Sequence, residues 1–240
     1  MGFSDEDLKE GHRKRLRERY YRSDLKSFKD YEVLELLLTY AIPRIDVKPL
    51  AKQLLIRFGS LRKVLDAAPF ELLSIPGMGP SSVGLFRLFK DTCSRYLEES
   101  IRTGNMLDNM DKLSDFLRMK IGGSYREQFV ALYLDTHNHL IAFHLFPGTV
   151  NRNNVPLREI VSQCLRCEAS NLIVAHNHPS GSLEPSREDI LFSCKLKMLL
   201  KTLEITLQDH LIIAGNRCHS IMPLVEMAEK SNTGMFEPDI

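Results

Sequence analysis

Residues 176–189 have the sequence HNHPSGSLEPSRED, which is the most informative stretch of this chain. The five residues before it, NLIVA at 171–175, form a short apolar run that predicts a buried strand. Side chains two apart on a strand point to the same face, so His176 and His178 are expected to present two imidazoles on one side. The prolines and the glycine that follow predict a turn. Ser186 then has the position of a helix N-cap, which places Asp189 in the first helical turn.

These residues are candidate metal ligands. Two imidazoles and one carboxylate, with a fourth position open to water, form the ligand set of a catalytic zinc site. Each part also has a simpler explanation, because most His-x-His pairs bind no metal, and Ser186 with Asp189 matches a capping box. The explanations are compatible, since a carboxylate has two oxygens and can cap a helix and bind a metal at once. We therefore predict zinc at His176, His178 and Asp189.

The same residues resemble a known family. His-x-His-Pro followed by Ser-x-x-Asp is similar to the motif of the JAMM (MPN-type) metalloproteases, and AHNHPSG at 175–181 is similar to the RadC family within them. DHLII at 209–213 and Ser220 match the end of that family, so the resemblance covers nearly the whole chain. It implies an MPN domain with the architecture of cytidine deaminases, and zinc-dependent cleavage of a peptide or isopeptide bond. The family is named for DNA repair, a name that does not identify its chemistry.

A zinc hydrolase also needs a base that moves the proton of the attacking water. In JAMM proteases the catalytic glutamate opens the strand that corresponds to residues 129–134, so the resemblance implies Glu127. It also implies that the Ser186 hydroxyl stabilises the developing oxyanion. Arg158 and Glu159 match the family's Arg-Glu pair and are candidates for the pocket, although Pro156 stands one place earlier than in the family. Either glutamate is alternatively a solvated surface charge.

The remaining histidines and cysteines give weaker signals. His210 is predicted to be packed or hydrogen-bonded rather than a ligand, because three protein ligands suffice for a catalytic zinc. Cys164 and Cys167 have metal-like spacing, but there is no second pair, and residues three apart on a helix share a face. We predict that they pack in the core. Five cysteines without a disulfide framework are typical of a reducing compartment, here the cytoplasm.

Residues 1–100 predict an all-α domain, residues 101–112 a linker, and residues 113–230 the metal-binding domain. The sequence LSIPGMGPSSV at 73–83 resembles a helix-hairpin-helix motif, in which Gly77 and Gly79 allow a tight turn and let backbone N–H groups approach a phosphate. Many such hairpins merely join helices. Residues 13–29 carry eight basic and two acidic side chains, a net charge of six, which fits phosphate contact or a solvated helix face.

The second half of the chain mixes strand and helix patterns. Strands are predicted at 129–134, 139–146, 171–175, 205–214 and 219–222, and helices at 158–168 and 186–203. This order predicts a sheet with helices packed on its faces. The complete fold prediction is therefore a mixed α+β or α/β chain, with a helical domain before an α/β domain.

Composition limits the functional classes. The chain has 240 residues, of which 43% are hydrophobic, and a net charge of +1, which by itself predicts no polyanionic partner. No apolar run is long enough for a membrane span, and the polar start predicts no signal peptide. Three hypotheses remain: a zinc hydrolase with an unknown protein or peptide substrate, a DNA-associated protein with structural or vestigial zinc, and a zinc deaminase. The last ranks lowest, because deaminases use His-x-Glu and a later Cys pair.

Overall fold

The structure is a computed structural model that describes residues 5–146 and 156–231, with side chains from residue 11 onward. It divides into two compact units between Thr92 and Cys93. Across the described ranges, no helix combines the length and apolar character that crossing a bilayer would require.

The first unit is helical, as predicted. Its helices are α1 (Asp5–Ser23), α2 (Asp30–Ala41), α3 (Lys48–Phe58), α4 (Leu61–Asp66), α5 (Pro69–Leu73) and α6 (Pro80–Arg102), which continues into the second unit. Leucines at helical spacing, among them Leu34 and Leu38, pack with Leu54 in one buried cluster. The hairpin between α5 and α6 turns at Gly77, whose φ of +93° suits glycine because an L side chain is strained there.

The second unit is a five-stranded sheet covered by helices, also as predicted. After a short 3₁₀ turn at Leu107–Asn109 the elements are α7 (Met110–Lys120), β1 (Phe129–Leu134), β2 (Leu140–Phe146), α8 (Leu157–Arg166), β3 (Asn171–Asn177), α9 (Arg187–Lys201), β4 (Thr206–Ala214), β5 (Arg217–Ser220) and α10 (Met222–Ser231). The strand order is β2-β1-β3-β4-β5. Only β3 and β4 are parallel, and the other neighbours are antiparallel.

Strand β3 is central and buried on both faces. Leu172 and Val174 point into a cluster with side chains of α8, α9 and α10, whereas Ile173 and Ala175 point into a second cluster with α7. His176 continues the alternation on the face that carries α9. In the antiparallel pair of β1 and β3, Phe129 lies opposite His176, so the start of β1 is next to the end of β3.

Two predictions about elements need correction. The predicted linker at 101–112 is partly helical, and Ile101 and Met106 are buried with α7, which the sequence analysis did not identify. The strand predicted at 219–222 ends at Ser220, and α10 begins two residues later, at Met222. Pro223 fits the first turn of this helix, since the N–H that proline lacks has no helical partner there. The division into a domain at residues 1–100 and a metal-binding domain at residues 113–230 stays a prediction.

Candidate metal centre

The three predicted ligands lie at the junction of β3 and α9. His176 is the second-last residue of β3. One residue beyond the strand, the backbone N–H of His178 still donates to the carbonyl of Ile213 in β4, at 2.8 Å. Asp189 is the third residue of α9. The ligand atoms of the three residues all lie within 4.8 Å of one another, and no other group of three such side chains is found in the described ranges. The turn at 179–186 thus brings Asp189, at the start of α9, next to the two histidines at the end of β3.

The distances fit one metal ion. Nε2 of His176 lies 2.9 Å from Nε2 of His178, and the Asp189 oxygens lie 3.4 Å and 3.7 Å from these two nitrogens. In tetrahedral zinc sites with ligand bonds of about 2.0–2.1 Å, ligand atoms are separated by about 3.3 Å. The histidines are 6% and 5% exposed. A small, nearly closed cluster of two nitrogens and a carboxylate therefore has the donor types and spacing that zinc requires.

Both imidazoles are held by their other ring nitrogen. Nδ1 of His178 lies 3.0 Å from the carbonyl oxygen of Ser182, which can only accept, so Nδ1 donates and a neutral ring keeps the Nε2 lone pair. Nδ1 of His176 lies 2.8 Å from Nε2 of His210. His210 is thus a hydrogen-bonded core histidine, as predicted. Burial, and next the neighbouring imidazole of His176, lower the pKa of His210 well below its ordinary value.

Ser186 and Asp189 form the predicted capping box. The Ser186 hydroxyl accepts from the Asp189 N–H at 3.1 Å, while Asp189 Oδ2 accepts from the Ser186 N–H at 2.7 Å and from its hydroxyl at 2.6 Å. Burial opposes ionisation of Asp189, but the neighbouring His178 and His176 side chains and both Ser186 donors hold the pKa of this carboxyl below its ordinary range. Its Oδ1 lies 3.4 Å from Nε2 of His176 and takes no part in the capping box, so this oxygen is the one that could bind a metal.

The oxyanion role of Ser186 stays a prediction. Its hydroxyl hydrogen points to Asp189 Oδ2, so donating to a substrate oxygen requires the hydroxyl to rotate about the Cβ–Oγ bond. The backbone N–H of Ser186 also donates to Oδ2 and would retain that contact after the rotation.

Glu127 lies two residues before β1, at the end of the sheet where β3 carries the histidines. Its expected neighbourhood depended on β1 lying beside β3, and this condition is confirmed by the pairing of Phe129 with His176. Asn177, between the two histidines, fixes the segment that carries Glu127. Its Oδ1 accepts from Gln128 N–H at 2.6 Å, and its Nδ2 donates to the carbonyls of Ser124 and Arg126, both at 3.1 Å. The assignment of Glu127 as the base itself stays a prediction.

Sequence analysis missed Asn177, although alternation along β3 gave a signal. A residue between two histidines that share a face must point the other way, and a buried amide there needs hydrogen-bond partners. Asn177 is 1% exposed and uses both ends of its amide. Ser193 was missed as well, despite lying four residues after Asp189 on the same face of α9.

Replacing Asn177 with alanine is expected to free residues 124–128. The change removes three hydrogen bonds and leaves buried groups unpaired, at a cost of about 1–3 kcal/mol of unfolding free energy. Hydrogen exchange at 124–128 should accelerate, as peptide mass spectrometry can measure. The matched control is Asn171→Ala, because Asn171 bonds Asp135 and Gln208 at the other end of β3. Equal exchange at 124–128 in both variants would contradict the assigned role.

Arg158 and Glu159 lie in the first turn of α8, and both are exposed. Glu159 is 46% exposed and lies 3.6 Å from Nε2 of His144 on β2. Glu159 therefore lies beside His144 at the surface, and its place in a substrate pocket stays a prediction.

The candidate nucleic-acid residues are all in the first unit. Gly77 is exposed in the hairpin, and Gly79 has open space around its Cα, but the N–H groups of Ser82 and Val83 already donate to the Gly79 carbonyl. Lys90 forms an ion pair with Asp66 at 2.5 Å. Within the basic run, Arg13 donates to the Ile42 and Ile45 carbonyls, and Arg19 pairs with Glu32. Six basic side chains of the run are exposed: Lys14, Arg15, Arg19, Arg22, Lys26 and Lys29.

The cysteine pair packs in the core, as predicted. Cys164, on the inner face of α8, is fully buried, and burial followed by the nearby Cys167 raises the pKa of its thiol to about 12. A thiol with so high a pKa is a poor metal ligand, because metals bind the thiolate.

Comparison with known proteins agrees with this geometry. Residues 107–226 match the family described as RadC-like JAB domain, and residues 9–83 match the family described as UPF0758 N-terminal. A UPF0758 protein of Fusobacterium nucleatum is 37% identical over 221 residues, which are 89% of this chain and 95% of that protein. One of Ruegeria pomeroyi is 38% identical over 203 residues, 84% and 91% of the two chains. The mixed sheet is that of a JAB (MPN) domain, and the chain belongs to the RadC family, as the motif at 175–186 predicts.

Proposed function

We propose that this protein is a zinc-dependent hydrolase of the JAMM type that cleaves a peptide or isopeptide bond. The observation that carries the proposal is the convergence of His176 Nε2, His178 Nε2 and an Asp189 oxygen within 4.8 Å. Three electron-pair donors that are this close and largely buried repel one another unless a cation or protons lie between them. The membership of the chain in a family with a JAB domain supports a hydrolytic role for that cation.

His176, His178 and Asp189 would hold the zinc ion. Bound zinc would supply the Lewis acidity that makes a water molecule nucleophilic near neutral pH. Glu127 takes the proton of that water as it attacks the scissile carbonyl, and then delivers the proton to the leaving amine nitrogen as the C–N bond breaks. The Ser186 hydroxyl donates to the oxygen that develops negative charge. The hydrogen bonds of Asn177 hold the backbone on both sides of Glu127, which limits the positions its carboxylate can take.

The decisive experiment combines metal analysis with a cleavage assay. The purified full-length protein is analysed for metals and then incubated with a peptide library that includes isopeptide-linked lysines, with and without a chelator. We expect zinc in the protein, cleavage that stops with the chelator, and recovery when zinc is added back. Cleavage that persists after complete zinc removal would contradict the proposed chemistry, and a zinc-loaded protein that cleaves no peptide would restrict the proposal to metal binding.

A second proposal concerns DNA, and the observation that favours it is the exposed set of basic side chains in residues 13–29. Phosphate contacts release counterions, so binding through these residues should weaken steeply as salt rises. We expect the full-length variant Arg15→Glu with Lys26→Glu to bind duplex DNA more weakly and with a shallower salt dependence. The control reverses two exposed lysines of α9, Lys195 and Lys201. Equal loss in both variants, measured by fluorescence anisotropy, would argue against a site in residues 1–100.

A further inference from the structure

We propose that His210 is a positioning residue that fixes the tautomer of His176, so that Nε2 of His176 keeps its lone pair for the metal. This inference rests on the proposed zinc site and deepens it. It concerns a residue 34 positions away in the sequence from the histidine that it orients.

Three hydrogen bonds connect the Asp189 carbonyl to Ser193, Ser193 to His210, and His210 to His176. The first of them determines where the protons of the other two lie. The Ser193 hydroxyl donates to the main-chain carbonyl of Asp189 at 2.7 Å, and a carbonyl can only accept. The single hydroxyl hydrogen of Ser193 is therefore used there. Nδ1 of His210 lies 2.6 Å from the same Ser193 oxygen, so this short contact requires Nδ1 of His210 to donate.

The next contact then has a defined direction. A neutral imidazole that carries its proton on Nδ1 accepts through Nε2. Nε2 of His210 lies 2.8 Å from Nδ1 of His176, so Nδ1 of His176 is the donor. In its neutral form His176 consequently has no proton on Nε2, the nitrogen that faces His178 and Asp189.

The surroundings of His210 keep its ring neutral. The residue is 1% exposed, and its ring packs edge-on against Phe129 and Phe192, with ring centroids 6.0 Å and 6.2 Å away. The adjacent carboxylate, Asp209, accepts instead from the Ser220 hydroxyl at 2.5 Å and from the backbone N–H of His210. An apolar enclosure disfavours a charged imidazole, so His210 has one donor and one acceptor nitrogen.

The two candidate metal ligands thus reach the same tautomer by different means. His178 donates directly to the carbonyl of Ser182, which accepts under all conditions. The tautomer of His176 depends on a chain of hydrogen bonds, here called the relay, that runs through His210 and Ser193 to the carbonyl of Asp189, the third candidate ligand. The relay ties α9, β3 and β4 together around the site. Partners that orient ligands in this way commonly contribute 10- to 100-fold to metal affinity.

The test compares two substitutions of His210 in the full-length protein. His210→Leu removes the acceptor, whereas His210→Gln offers an amide oxygen. We expect H210L to weaken zinc binding by about 10- to 100-fold, measured by competition with a chromophoric chelator, and H210Q to recover most of that loss. Leu207→Ala, at the opposite end of β4, is the control for lost packing and should leave zinc affinity unchanged.

A second measurement needs no zinc. In the metal-free protein, ¹⁵N-edited NMR of the imidazole nitrogens should show a proton on Nδ1 of His176 in wild type and H210Q, and its shift to Nε2 in H210L. A wild-type protein that binds no zinc but shows the Nδ1 proton would overturn the zinc proposal and support the tautomer assignment. A wild-type protein that binds zinc, with H210L unchanged in affinity and tautomer, would overturn the role of His210 alone.

If H210L does not fold, Ser193→Ala answers the same question, because it removes the acceptor that orients His210. We expect this variant to lose about tenfold in zinc affinity, with a folded circular dichroism spectrum. Unchanged affinity in folded Ser193→Ala would overturn the relay.

Discussion

Replacing His178 with alanine is expected to remove most of the zinc from the protein. Wild type should contain about one equivalent per chain, because one set of three protein ligands binds one ion. The variant leaves a single imidazole and a carboxylate whose Oδ2 is already occupied by two donors from Ser186. Elemental analysis after dialysis measures the change directly.

A matched control separates this site from adventitious binding by surface histidines. His219 on β5 is exposed and lies outside the group of three ligands, so His219→Ala should retain the full zinc content. Full retention of zinc by His178→Ala would show that the ligand assignment is wrong, whatever the activity of the protein.

Replacing Glu127 with glutamine is expected to abolish most of the turnover while leaving zinc bound. Glutamine keeps the size and the hydrogen bonding of the side chain but removes the basic oxygen. Turnover of a peptide found in the library screen should fall by about 10²–10⁴-fold, the range for losing general acid–base catalysis. Zinc content should remain at the wild-type value, because Glu127 is not among the three ligands.

Glu159→Gln is the internal comparison, since Glu159 is the other candidate. Its exposed position beside His144 predicts a small effect on turnover. The reverse ranking, with Glu159 essential and Glu127 dispensable, would place the base on α8 and refute the assignment of Glu127. Measuring zinc content in both variants separates a lost base from a lost metal.

Local patterns in the sequence were sufficient for several elements of the site. Six consecutive apolar residues at 129–134 predicted β1 with its observed bounds, because a strand buried on both faces shows no alternation. The capping box of Ser186 and Asp189 is also local, since its partners are three residues apart. The His-x-His spacing placed both imidazoles on one face, because side chains two apart on an extended chain point the same way. Each of these features depends only on backbone geometry over a few residues, which the sequence by itself determines.

The contacts that complete the site are non-local, and only the tertiary structure decided them. Periodicity does not specify which strands become neighbours, so the pairing of β1 with β3, on which the position of Glu127 depends, was implied only by the family resemblance. Asn177 reaches Ser124, 53 residues earlier, and His210 reaches back 34 residues to His176. The burial of Ile101 and Met106 likewise depends on α7 packing over them. The sequence determined which side chains could bind a metal, and the order of strands in the sheet determined which residues hold and orient them.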